Sequence, residues 1–441
     1  MVEITKMKAE KQKAEKEAFF CTTKELSRLG LEQIPTQFQS HKHLIYSSPA
    51  TLAFNSPGAE GFGVKRAGLA VPDSIMLIVA PGCCGRNTSL ISSMKEYNDR
   101  FYYLMMDETD IVTGRHLKKI PKAVEEICSV CPKKPSVVMI CITCVDALLG
   151  TDMERVCKKA EEQVEIPVRP CYMYALTREG RKPPMVHVRQ SLYSLLEPGK
   201  KKGNVVNLLG FFSPLVDDCE IYDLLHSAGV KTIHEISRCK DYMEYQTMSE
   251  ANFNLVLHHE ARFAAEDFHN RLQIPFIELR RLYQIDKIEN QYHALGNALG
   301  VAFYDEKYKK QAEDALEKFR QKCPDASFAI GECLNADPFE LSLALIRYGF
   351  SVPEIYGTIT VENFTYIRSL AKISPETKVF SNMEPTMIYY DPAKSDVNLA
   401  IGKDACYYHP DCPYVMWNGE EQPYGYAGVR RLFEQLLEVV Q

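Results

Sequence analysis

The residues of this 441-residue chain best suited to chemistry are cysteines and histidines that follow apolar runs. Cys83-Cys84 comes just after Ile75–Ala80, and Cys144 just after Ser136–Ile142. Thiolates are the soft ligands that hold iron–sulfur clusters and zinc, so Cys84 and Cys144 are the candidate ligand pair. Neighbouring side chains in extended backbone point apart, so Cys83 is a replacement for Cys84, not its companion. The bland alternative for each is a small buried thiol. Cys128-x-x-Cys131 and Cys141-x-x-Cys144 together imitate a zinc ribbon. Their gap is shorter than the roughly 15–20 residues of that pattern. Cys141 and Cys144 would also face opposite sides of one strand. Structural zinc is therefore disfavoured. His258-His259-Glu260 follows a third run, Asn254–Leu257, with Arg262 close behind. Imidazole can ligate iron or nickel and can pass protons near neutral pH. The planar fork of Arg262 suits a substrate carboxylate, and a surface salt bridge explains it equally well.

Short continuous apolar runs bounded by turn signals read as strands buried on both faces, the habit of parallel sheets. Such runs recur at 75–80, 136–142, 166–171, 205–210, 254–257, 274–277, 327–331, 352–356 and 397–403. Helical patterns alternate with them, at 117–127, 152–162, 190–196, 220–230, 264–272, 286–321 and 339–348, and a last one closes the chain. Alternation of this kind predicts α/β units, and ligands of open α/β sheets bind beyond the carboxyl ends of the strands. The basic linker Lys200-Lys201-Lys202-Gly203 marks a boundary. The expected organisation is an N-terminal helical arm (1–40) followed by α/β domains at 41–200, 201–322 and 323–441. The first of these would be the cluster-binding one.

Three motifs give a resemblance. Ala80-Pro81-x-x-Cys84, Asp110-Ile111-Val112-x-Gly114 and Cys144-x-x-x-Leu148-x-Gly150-x-Asp152 are similar to the first domain of nitrogenase component 1 proteins. That family includes the nitrogenase molybdenum–iron subunits, their cofactor scaffolds and the dark-operative protochlorophyllide reductase subunits. The resemblance is sharp over 74–170, good over 204–280 and looser after 327. It implies three doubly wound, Rossmann-like αβα domains around a central cleft. It also implies an iron–sulfur cluster at a subunit interface, ligated by Cys84 and Cys144. The family's first cluster cysteine has no counterpart in Phe54–Ala59, which points to a [4Fe-4S] cluster and away from an eight-iron one. His258 stands where the catalytic subunits of nitrogenase carry the cysteine that anchors their large metallocluster. The neighbourhood of the second, histidine anchor reads Met416-Trp417-Asn418. Both customary anchors are thus missing, which leaves a second metallocofactor of another kind, or a tetrapyrrole, for the cleft.

The function implied is a subunit of a nitrogenase-like oxidoreductase, with His258, His259 and Arg262 as candidate catalytic residues. Rival readings are a cofactor-assembly scaffold and a non-catalytic metal or tetrapyrrole binding protein. A separate ATP-dependent iron–sulfur reductase is the implied electron donor, and this chain has no Gly-x-x-x-x-Gly-Lys-[Ser/Thr] loop of its own. A four-iron cluster takes about four protein ligands. Two from this chain therefore predict an interfacial cluster, completed by a second copy or a homologous subunit across a two-fold axis. The formal net charge of −6 offers no basic footprint for nucleic acid. No apolar run reaches the roughly 18 residues of a membrane span. Residues 1–16 have no secretory pattern, so a cytoplasmic location is expected. In that compartment 15 cysteines read as thiols or ligands, not disulfides.

Overall fold

The computed structural model describes residues 17–39, 48–54, 63–82, 97, 99–142, 149–172 and 182–440. Strand β1 (Phe20–Thr22) comes first and belongs to the last sheet. The first sheet contains β2 (Ile75–Ala80), β3 (Phe101–Met105), β4 (Val138–Ile142) and β5 (Val168–Tyr172), all parallel, in the order β3-β2-β4-β5. Every residue of β2 is buried. Met76, Ile78 and Ala80 enter one core layer, whereas Ile75, Leu77 and Val79 enter the layer on the opposite face. Double-sided burial is why this strand reads as an unbroken apolar run and not as an alternation. Edge strand β3 is half-exposed, with Tyr103 and Met105 open to solvent.

The second sheet repeats the plan with β6 (Val205–Leu209), β7 (Thr232–His234), β8 (Phe253–Val256) and β9 (Phe276–Glu278), in the order β7-β6-β8-β9. In both sheets the first strand is flanked by the second on one side and by the third on the other. The carboxyl-end crevice at such a reversal is the switch point where open α/β sheets hold ligands. The third sheet has β10 (Ser327–Ile330), β11 (Ser351–Tyr356), β12 (Lys378–Phe380), β13 (Leu399–Ile401) and β14 (Tyr414–Val415). Its order is β1-β12-β11-β10-β13-β14, parallel except that β1 lies antiparallel on β12. Residues 20–22, inside the expected N-terminal helical arm, thus form an edge strand, followed by the helix Thr23–Leu29.

The chain divides into two compact units. One contains 1–56, 315–418 and 432–441 and carries the third sheet; the other contains 57–314 and 419–431 and carries the first two. Within the second unit one apolar layer runs from Met76, Ile78 and Met139 through Val188 and Leu192 to Val256, Ala265 and Phe268. Helix α1 (Pro184–Tyr193) supplies the link, packing on β5 and on helix α2 (Arg262–Leu272). Among the described residues no helix is long and apolar enough to cross a membrane.

Candidate functional site at the sheet switch points

The first switch point lies between β2 and β4, whose registers pair Ile78 with Cys141 and Val79 with Ile142. Both strands therefore end at the same edge. Cys83 and Cys84 follow β2 closely, and Cys144 follows β4. These three cysteines lie outside the described residues. What the fold supplies is the common edge at which the two preceding strands end, and thiolates are soft donors of the kind that hold iron–sulfur clusters. The remaining cysteines of the ribbon-like pattern are separated by the sheet itself. Cys141 is fully buried in one core layer, whereas Cys128 and Cys131 pack against the layer on the opposite face. Cys131 Sγ lies 3.1 Å from the hydroxyl of Tyr102. The Asp110–Gly114 motif does local structural work. The side chains of Asp107 and Asp110 form a capping box, Asp110 holds Arg115 and Lys119 at 3.1 and 2.5 Å, and Gly114 ends the helix at φ +67°.

The second switch point lies between β6 and β8. Leu257 N–H donates to Leu209 O at 2.7 Å and continues the ladder, so His258 is the first residue to leave the sheet. It leaves directly over Gly210, whose φ is +147°. A Cβ there would sit 2.8 Å from His258 N and 3.0 Å from His258 Cβ. Only glycine allows the two strand ends to approach this closely. Arg189, on α1, is 5% exposed and holds the crevice together. Its Nε and Nη2 donate to Gly210 O at 3.1 and 2.7 Å, and its Nη1 donates to Met185 O at 2.9 Å and to Glu260 Oε2 at 2.7 Å.

His258 caps the turn His259–Ala261 by accepting from Glu260 N–H through Nδ1, at 3.4 Å. That bond requires an unprotonated Nδ1, which places the proton of the neutral ring on Nε2. Burial pushes the imidazole pKa well below its usual value, and Arg189, His259 and Arg281 push it further the same way. A third of the side-chain surface is nevertheless accessible, so the ring is densely surrounded without being sealed. The rings of His258 and His259 stack at 4.5 Å, and Phe211 meets His258 edge-on at 5.7 Å. The crevice therefore offers one neutral N–H donor among cations, with Glu260 tied to Arg189.

Arg262 donates to both oxygens of Glu278, at 2.6 and 2.7 Å. Its fork is thus taken in this structure, and a substrate carboxylate would have to displace Glu278. Arg189, Gly210 and Arg281 complete the crevice, and none was singled out from the sequence. They converge from distant segments, so no spacing announces them.

A family profile described as nitrogenase component 1 type oxidoreductase matches residues 60–441. The chain belongs to this family. Among its relatives are nitrogenase iron-molybdenum cofactor biosynthesis proteins NifE. The protein of Sinorhizobium fredii is 25% identical over 418 residues, covering 88% of this chain and 82% of the relative. That of Mesorhizobium japonicum is 26% identical with the same coverage of both chains. A solved structure titled nitrogenase Cp1 at pH 6.5 superposes with a TM-score of 0.69 at 18% identity, covering 90% of this chain and 92% of that one. The α/β architecture with three parallel sheets is thus a nitrogenase component 1-like fold.

In this family member the third switch point, between β10 and β13, is filled by its own side chains. Asp404 accepts from Glu332 N–H at 2.8 Å, Cys333 N–H at 3.0 Å and Asn382 Nδ2 at 2.6 Å. Glu332 accepts from Thr358 N–H at 2.9 Å, and burial pushes its carboxyl pKa up. Trp417, Tyr424 and Tyr426 are buried aromatic packing; Tyr424 donates to Arg280 O at 3.0 Å and Tyr426 to Asp305 Oδ2 at 2.9 Å. Among the described residues no group of three or more His, Cys, Asp or Glu is arranged to hold a metal ion.

Proposed function

We propose that this chain is the cluster-bearing subunit of a nitrogenase-like iron–sulfur oxidoreductase, served by a separate ATP-dependent iron–sulfur reductase. The observation that supports the reading is that two sheets share one strand order, and that the strands preceding the candidate cysteines and histidines flank the switch point of each. Cys84 and Cys144 would hold a [4Fe-4S] cluster, with a second copy or a homologous subunit supplying the other ligands. Such a cluster, when bound, supplies one-electron transfer. The residues of the second crevice handle protons and orientation. Neutral His258 offers its Nε2–H as a hydrogen bond to charge developing on the group being reduced, and the N–H of Glu260, whose carboxylate Arg189 fixes, keeps Nδ1 as an acceptor. His259, exposed and stacked on His258, is the solvent-side group through which a proton can arrive. Arg262 would engage a substrate carboxylate on release from Glu278.

A second reading, a cofactor-assembly scaffold, is favoured by the likeness to NifE proteins of iron-molybdenum cofactor biosynthesis. Anaerobic purification followed by iron and sulfide analysis tests the ligand assignment. Cys84→Ala and Cys144→Ala should lose the cluster, whereas Cys128→Ala should keep it; full iron content in Cys144→Ala would refute the assignment. Replacing His258 and His259 together by alanine should stop turnover with the reductase and ATP while iron content stays intact. Passage of a bound cluster to an acceptor protein without any turnover would select the scaffold.

A further inference from the structure

Arg281 follows β9 at the same carboxyl edge and is half-buried, yet among the described residues no acid partner holds it. Its guanidinium carbon lies 4.4 Å from the centroid of the Phe211 ring, and Phe211 in turn meets His258 edge-on. One Nη2 N–H donates to Gln422 Oε1 at 2.6 Å. Nε is enclosed and has no acceptor among the described residues; Nη1 has none either and is not enclosed. Among the described residues the groups that favour its charge are the phenols of Tyr283 and Tyr424, not a carboxylate. Arg189 and Arg262 differ in this respect: each has its own carboxylate, Glu260 and Glu278. A guanidinium withdrawn from water without a counter-ion is a costly arrangement, and an arriving anion relieves it.

We propose that Arg281 is the anion-binding residue of the His258 crevice and that the ligand held there carries a carboxylate. The proposal rests on the reading of that crevice as the reaction site and deepens it by naming the ligand class. The planar fork presents in-plane N–H donors that match a carboxylate, and the Phe211 stack fixes the plane of approach. Phe211 touches both Arg281 and His258. A ligand anchored by its acid group at Arg281 would thereby have another part of its body within reach of the His258 N–H. The carboxylate can belong to the molecule being reduced or to a separate small acid bound beside it.

Isothermal titration calorimetry of the full-length chain at low ionic strength tests this with two probes: citrate as a free acid, and uroporphyrin as carboxylates borne on a large flat ring. Saturable binding is expected in the wild type and in Arg280→Gln, which removes the adjacent exposed cation. Arg281→Lys keeps the charge but loses the fork and should weaken binding roughly tenfold. Arg281→Gln should abolish it. Tighter binding of citrate assigns the carboxylate to a separate acid; tighter binding of uroporphyrin assigns it to the larger ligand. Absence of saturable binding for both probes in the wild type overturns the proposal, as does wild-type affinity in a folded Arg281→Gln or Arg281→Lys protein. Binding is read without cluster, reductase or turnover, so this proposal and the assignment of Cys84 and Cys144 can fail separately.

Discussion

Replacing Gly210 by alanine tests whether backbone contact places the His258 turn. At φ +147° an L side chain is strained, which costs about 1–3 kcal/mol. The new Cβ would also stand 2.8 Å from His258 N and 3.3 Å from Leu257 C, and these backbone atoms cannot rotate away as a side chain does. Forcing them apart costs about 1–3 kcal/mol more, as overpacked sites do. The expected penalty is therefore about 2–6 kcal/mol. It falls on the turn and on the Gly210 carbonyl that Arg189 clamps. Two compact units preclude a single two-state melting curve, so the assay is amide hydrogen exchange resolved by peptide. Protection across 253–262 should fall roughly thirty-fold to about twenty-thousand-fold, at tenfold per 1.4 kcal/mol. Strand β10, in the other unit, should be unaffected. Gly203→Ala is the control, because its Cβ would meet nothing within 4 Å and its backbone is unstrained. Exchange in Gly210→Ala indistinguishable from that in Gly203→Ala would refute the argument.

Two further outcomes follow from buried carboxylates. Glu220 accepts from Tyr292 OH at 2.7 Å, Tyr426 N–H at 2.6 Å and Ala427 N–H at 3.0 Å, and so caps the first turn of the closing helix, α3 (Gly425–Val439). Glu220→Ala strands these donors and should cost about 3–6 kcal/mol locally, read as rapid proteolysis near residue 425. Glu354 accepts from His409 Nε2 at 3.1 Å and Tyr390 OH at 2.6 Å. Burial raises its pKa, but its hydrogen bonds from His409 and Tyr390 prevail and hold it below the usual value. A lowered acid stabilises fully above the unfolded glutamate value, about 4.3, and that contribution is lost as pH falls through the lower folded value. Acid titration of the fluorescence of Trp417, the sole tryptophan and part of the same unit, should show this loss, and Glu354→Gln should remove that acid-dependent component.

Burial on both faces made much of the fold legible. β2, β4, β6, β8 and β10 are interior strands whose apolar runs stand out in the sequence. Phe101–Met105 and Thr232–His234 escaped notice because they are edge strands with exposed residues, and Lys378–Phe380 because three residues make no pattern. His258 was found because it terminates a visible strand. Arg189 and Arg281 were not, since topology alone brings a helix residue and a loop residue to the same crevice. Arg262 looked available in the sequence, but Glu278, on the adjacent strand β9, takes its fork.

The antiparallel pairing of β1 with β12 joins residues about as far apart as the chain allows, Phe20 with Phe380. The unit to which both belong is interrupted by 57–314 and again by 419–431. During synthesis the earliest of these strands must therefore wait, with its edge unpaired, until more than three hundred further residues have been added. The inserted unit has both its sheets complete long before then, lacking only the segment 419–431. Completion is thus ordered from the middle of the sequence outwards: the first two sheets are available early, and the discontinuous unit that carries the third is completed last. Unpaired strand edges are templates for misassociation. The interval before β12 emerges is when the edge of β1 is most open to such pairing.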